Sequence, residues 1–177
     1  IIEIFKEDRG LEVHYDADLP AKTGVGSSSS FTVGFIKALK SLRGESIEKK
    51  ELAKLAIHLE QEVMKENVAA QDQILAAYGN FNKIEFNQDD SFKITPLALE
   101  SEQLISLQNH FMLFFTGVTR IASDVVADQL DNIKNVNNHY RKIHALVEEA
   151  LSFLNKPSSP IIEIGKLLHE SWLLKRE

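Results

Sequence analysis

The stretch that most constrains this chain is Gly24-Val25-Gly26 followed by four serines, Ser27 to Ser30, and then an amphipathic run from Phe31 to Leu42. Glycine lets a backbone turn tightly and lets its N–H groups approach a ligand closely. A helix that begins directly after such a turn aims unpaired N–H groups and the positive end of its dipole at one spot. Serine hydroxyls at that spot can cap the helix, bind phosphate oxygen or reach a metal ion. The alternative is a plain Gly-rich turn with a serine-capped helix, but one side chain caps one helix and four serines exceed that need. No Gly-Lys-Ser/Thr follows the glycines, so the stretch is not a P-loop.

Around this centre the chain reads as strands first and helices later, an α+β pattern. Ile2–Phe5 and Leu11–Tyr15 alternate as strands, with Asp8-Arg9-Gly10 between them. The helix over Ser28–Leu42 presents Phe31, Phe35, Leu39 and Leu42 at helical spacing, and Gly44 stands where a left-handed cap belongs. Ser46 is placed to cap a second helix, Ile47 to about Lys65, with a stripe of Leu52, Leu55, Leu59 and Val63. Gln71–Tyr78 reads as a short helix ended by Gly79-Asn80. Phe81–Phe86 and Ser91–Leu97 read as a hairpin. Glu100–Leu107 suits a short helix, and His110–Thr116 a continuous apolar strand in a sheet. Helices follow over Ser123–Lys134 and Val136–Leu154. Ser159 and Pro160 start a last one.

Composition narrows the function classes. The chain has 44% apolar and 26% charged residues, as soluble globular proteins do. A net charge of −6 argues against a general nucleic-acid surface. There is no cysteine, hence no disulfide framework, which fits a cytoplasmic location. The longest plainly apolar run, Phe111–Phe115, is far too short to span a bilayer, and no signal peptide is visible at the start. The six histidines show no metal-ligand spacing.

Four motifs in order carry a family resemblance: Pro20-x-x-x-Gly24-Val25-Gly26-Ser27-Ser28-Ser29, Gln71-Asp72-Gln73, Tyr78-Gly79-Asn80-Phe81-Asn82, and Phe115-Thr116-Gly117-Val118-Thr119-Arg120-Ile121-Ala122-Ser123. They resemble the GHMP small-molecule kinases, the group of galactokinase, homoserine kinase and mevalonate kinase. Within that group they are most similar to the D-glycero-D-manno-heptose 7-phosphate kinases. The resemblance implies the two-lobed GHMP fold, with a ribosomal-S5-like N-terminal lobe over residues 1–115 and part of a ferredoxin-like C-terminal lobe over 116–177. An early motif and a late Gly-rich motif of those kinases have no counterpart here, so the chain is expected to be truncated at both ends.

The resemblance also implies roles. Gly24, Gly26, Ser27, Ser28 and Ser29 would hold the phosphates of ATP. Ser28, with Ser27 as the nearby alternative, and Glu60, with Glu62 as the fallback, would hold Mg²⁺. Asp72 matches the aspartate that acts as catalytic base. Its residue type also suits a helix cap or an orienting group. Arg120, helped by Thr116 and Ser123, would grip a phosphate already on the substrate, or else pair with Asp124 or Asp128. The implied reaction is phosphoryl transfer from ATP to the anomeric hydroxyl of a heptose 7-phosphate, feeding nucleotide-activated heptose for a surface polysaccharide. A kinase for another sugar (fucose, galactose or an N-acetylhexosamine) and a non-catalytic sugar- or nucleotide-binding protein on the same fold are the alternatives. The expected partner is a small sugar phosphate, with no nucleic acid or membrane involved and a homodimer allowed. Three departures from the family pattern stand out: Lys22 in place of a small residue, and Ala69 and Asn80 in place of glycines.

Overall fold

The computed structural model describes residues 1–18, 24–115, 117, 137–156 and 158–176. Two compact units emerge, one built on Ile1–Thr95, the other on Pro96–Phe114 with the C-terminal helices.

In the first unit, helix α1 spans Ser27–Leu42, α2 spans Lys49–His58 and runs into a single π turn at Leu59–Val63, and α3 spans Gln71–Tyr78. A two-stranded antiparallel hairpin follows, β1 at Asn82–Phe86 and β2 at Phe92–Pro96. Helix α1 buries Ser29, Thr32, Val33, Ile36 and Leu39. That face is rotated from the stripe read in the sequence: Leu42 is 49% exposed. Phe31 and Phe35 stack on each other with ring centroids 5.5 Å apart, and Tyr15 meets Phe31 edge-on. The large rings thus cover the flank while β-branched Val33 and Ile36 fill the interior. One cluster joins Phe5, Val33, Ile36, Leu39, Leu52, Ala56 and Leu59, and a second joins Ala53, Ile74 and Phe92. Both draw on α2, which therefore packs on two sides. Full burial of one such Leu or Ile side chain contributes about 1.5–3 kcal/mol.

Helix α1 ends as its sequence dictates. Gly44 has φ +72, its N–H bonds the Ser41 carbonyl, and the Glu45 N–H reaches back to the Lys40 carbonyl. This is the paired-bond Schellman ending that a left-handed glycine permits. Helix α2 starts two residues later than expected, at Lys49, and Ser46 does not cap it; Glu48 occupies the cap position with no side-chain bond. The hairpin turn carries Asp90 at φ +60, and Asp89 accepts bonds from both the Ser91 hydroxyl and its N–H. Those donors hold the Asp89 carboxyl below its usual range, the hydroxyl bond first.

Two expected strands do not form ladders. Residues 2–6 make a hydrogen-bonded turn, with the Phe5 N–H on the Ile1 carbonyl at 3.1 Å, and residues 11–15 are irregular. Alternation marks which side chains share a face, but a strand also needs a neighbour to pair with. The turn is instead fastened to the end of α1. Arg43 donates to the Phe5 carbonyl and, from Nε, to Glu7 Oε2 at 3.2 Å. Arg9 grips the same carboxylate at 2.6 and 3.0 Å.

The Glu7 side chain is only 2% exposed, and these guanidinium bonds, Arg9 first, pull its carboxyl from an ordinary 4.5 down to about 2. A depressed folded-state value means stabilisation that is complete above the unfolded value and disappears as pH falls through the folded one. The melting temperatures of the parent and a Glu7→Gln variant are expected to differ near neutrality and converge between about pH 4.5 and 2. A gap that ignores pH would mean that the ion pairs do not fix this turn.

In the second unit, α4 spans Ser101–His110, α5 spans Asn137–Leu154 and α6 spans Ile161–Arg176. Leu107, Leu154 and Leu167, one from each helix, are buried, and Gln103 Nε2 donates to the Leu154 carbonyl at 2.8 Å. The apolar run after α4 is extended but joins no ladder among the described residues. Met112, Leu113 and Phe114 are 79%, 74% and 74% exposed. The helix expected over 123–134 lies outside the described residues.

Candidate active site

The candidate site lies within the first unit, where α1, the π turn and α3 meet. The loop before α1 turns on two left-handed glycines, Gly24 at φ +77 and Gly26 at φ +69. Gly26 itself occupies the cap position of α1, with no side-chain cap, and its carbonyl accepts the first helical bond from the Ser30 N–H at 2.9 Å. The serines are therefore not spent on capping. The amides of Ser27, Ser28 and Ser29 have no partner within the helix, as at any helix start, and they sit at the positive end of its dipole. That arrangement suits an anion. Ser28 is exposed and Ser29 is buried. Pro20–Thr23, including Lys22, lie outside the described residues.

Glu60 is the unusual residue. It is 0% exposed, in the interior beside Leu59. Helical spacing puts the glutamate there, since Glu60 follows Ala53 and Ala56 on the buried face, and the π turn then changes the bearing of what comes after it. The Met64 N–H bonds the Leu59 carbonyl five residues back, widening the helix by one residue. Leu59 and Glu60 face inward while Val63, expected in the buried stripe, is 48% exposed. Glu62 points to solvent, its side chain 64% exposed and 3.5 Å from Lys65. Of the two glutamates, the structure buries Glu60.

Two donors meet on one oxygen of that carboxylate. Ser29 Oγ donates to Glu60 Oε2 at 2.9 Å, and Gln73 Nε2 donates to the same atom. No donor reaches Glu60 Oε1 or Gln73 Oε1, and both atoms are buried. A buried carboxylate costs several kcal/mol of lost hydration, and charge-assisted bonds return about 1.5–3 kcal/mol each. Two bonds on Oε2 leave Oε1 unanswered. Among the described residues no cluster of three or more His, Cys, Asp or Glu could hold a metal by itself. A cation here would share its coordination with phosphate oxygens and water, which is how Mg²⁺ is usually bound. The residues present fit that ion. Ser28, named with Glu60 from the sequence, has no described bond to it; its neighbour Ser29 does.

Asp72 lies in the first turn of α3, where the cap position is Ala70 and no side chain caps the helix. The aspartate is thus not the helix cap that its residue type allowed. Its side chain lies against the loop glycine: a Cβ added to Gly26 would stand 3.1 Å from Asp72 Oδ2 and 3.3 Å from its carboxyl carbon. Asp72 is exposed, and no described residue hydrogen-bonds or ion-pairs with it. The outcome is an accessible carboxylate at the mouth of an anion-suited loop. Arg120, Thr116 and Ser123 lie outside the described residues.

Sequence reasoning gave Gln73 no role of its own. The signal was there: Gln73 is a polar residue on the face of α3 that carries Ile74 and Ala77 into the core. Asn80, in place of a glycine, adopts φ +61, a conformation that asparagine tolerates. Ala69, the other replaced glycine, is not in the left-handed region, so it carries no such strain.

Comparison with known proteins gives a family likeness over the part of the chain that carries these residues. Residues 1–80 match the family described as GHMP kinases N terminal domain. A D-glycero-alpha-D-manno-heptose 7-phosphate kinase of Campylobacter jejuni is 27% identical over 172 residues, covering 97% of this chain and 50% of that protein. A bifunctional fucokinase/GDP-fucose pyrophosphorylase of Arabidopsis thaliana is 29% identical over 184 residues, covering 99% of this chain and 17% of that protein. The crystal structure of a D-glycero-D-manno-heptose 1-phosphate kinase from Bacteroides thetaiotaomicron superposes with a TM-score of 0.70 at 24% identity, over 90% of this chain and 46% of that one. This chain spans half or less of the length of these proteins. Residues 1–80 are thus similar to a GHMP kinase N-terminal domain.

Proposed function

We propose that the protein to which this chain belongs is an ATP-dependent sugar kinase acting on the anomeric hydroxyl of D-glycero-D-manno-heptose 7-phosphate. The observation that carries the reading is the approach of the Asp72 carboxylate to Gly26 in the anion-suited loop. The similarity to the Campylobacter kinase over 97% of the chain supports the substrate class.

In this reading the Gly24–Ser29 amides hold the ATP phosphates by their N–H groups and the α1 dipole. Ser28 and Glu60 would hold Mg²⁺, which would neutralise phosphate charge when bound. Asp72 accepts the proton of the sugar hydroxyl as its oxygen bonds the γ-phosphorus. The bond from that phosphorus to the bridging oxygen breaks, and ADP leaves with the electron pair. Arg120 and Thr116 hold the phosphate that the sugar already carries. The product is a heptose 1,7-bisphosphate, which suits the cytoplasmic synthesis of nucleotide-activated heptose for a surface polysaccharide.

ADP release by the full-length protein with Mg-ATP across phosphorylated and free sugars tests this. Turnover confined to heptose 7-phosphate is the expected result. Turnover on a free sugar such as fucose would remove the proposed role of Arg120 and replace the substrate. No turnover on any sugar by a folded protein would make this a binding protein.

A further inference from the structure

We infer that Gln73 is a positioning residue: its carboxamide, together with Ser29, fixes the Glu60 carboxylate so that Oε1 is the oxygen left for a divalent cation. The inference rests on the reading of Glu60 as a cation ligand. Three observations carry it. Gln73 and Glu60 are both 0% exposed, so neither is solvated into place. Gln73 Nε2 and Ser29 Oγ converge on one oxygen, Oε2, from two different helices. The other oxygen, Oε1, is buried with no donor.

The amide orientation is fixed by chemistry. A carboxylate accepts only, so the N–H side of the amide must face it. With Oε2 saturated by two donors, rotation of the carboxylate would break both bonds. The single unanswered oxygen is therefore held in one direction. The second orphaned acceptor, Gln73 Oε1, lies on the same side chain. Two buried acceptors without donors call for a positive charge or a donor such as metal-bound water. Groups that orient a metal-binding side chain in this way change metal affinity by about 10–100-fold when removed.

The test uses the full-length protein with Mn²⁺ as the probe, titrated by electron paramagnetic resonance in the presence of ADP. Gln73→Met keeps the side-chain volume and deletes the donor. Its expected effect is Mn²⁺ binding weakened about tenfold or more, with the KM for sugar unchanged. Glu60→Gln, the control for the underlying reading, is expected to weaken Mn²⁺ at least as much. Gln73→Asn keeps an amide but withdraws it by one methylene. It serves as the second variant should the methionine protein fail to fold. A donor role makes methionine at least as damaging to Mn²⁺ binding as asparagine. A packing role makes asparagine the worse of the two, with affinity following melting temperature, and that pattern would overturn the inference. Weak binding in Glu60→Gln with normal binding in both Gln73 variants would overturn it and leave the cation reading standing. Normal binding in Glu60→Gln would remove both.

Discussion

Asp72→Asn is expected to lower kcat by about 10²–10⁴-fold, the range for removing a positioned general base. The substitution keeps size and shape but deletes the proton acceptor. Asp72 is exposed and caps nothing, so the fold should not notice the change. Nucleotide binding should also survive, because the loop amides and Glu60 are untouched. The informative comparison is therefore kcat against the Kd for Mg-ADP, measured on one preparation. A fall in kcat with Kd preserved supports the base. A variant that turns over at parental rates would reduce Asp72 to an orienting group or a bystander. Parallel losses in both would place it in nucleotide binding instead.

Gly26→Ala should be nearly as damaging, for a different reason. At φ +69 an alanine pays about 1–2 kcal/mol that glycine does not. That cost alone would be shared by Gly24→Ala, where φ is +77 and nothing lies within 4 Å of an added Cβ. At Gly26 the new methyl also stands 3.1 Å from Asp72 Oδ2. The aspartate is exposed and free to turn aside, so the contact displaces the carboxylate more than it strains the fold. A displacement of about 1 Å can cost about 10²-fold in rate. The two alanine variants are thus expected to lose similar stability, while Gly26→Ala loses about 10²-fold more kcat. Equal kcat in the pair would mean that the approach of Asp72 to the loop is not used in turnover.

Much of this fold is local, and its local parts were legible. Helix α1 begins within one residue of its expected start because two glycines and a serine run permit little else there. The Gly44 ending, α3 and the 82–96 hairpin follow from turn chemistry contained in a few consecutive residues. Segments that need a distant partner were not legible. The alternation at Ile2–Phe5 and the apolar run at Phe111–Phe115 describe strands in search of a sheet, and among the described residues neither has one. In the site, the Gly-Ser loop and the candidate roles of Glu60 and Asp72 came from motifs. The network that holds Glu60 did not, because Ser29, Glu60 and Gln73 are distant in sequence and meet only after folding.

The wide turn at Leu59–Val63 also affects how chains of this kind can be compared. One extra residue in a helical turn acts on the sequence as a silent insertion: upstream side chains keep their bearing and downstream ones swing to a new one. Glu60 keeps the bearing of Ala53 and Ala56 and is sealed inside, whereas Val63, four residues after buried Leu59, swings out to 48% exposure. A residue count taken across this turn, such as that from Glu60 to Asp72, therefore includes one residue that a helix without the bulge would not need. The bearing of the helix decides which acid reaches the interior, and a chain without the bulge could present an equivalent acid at a different count.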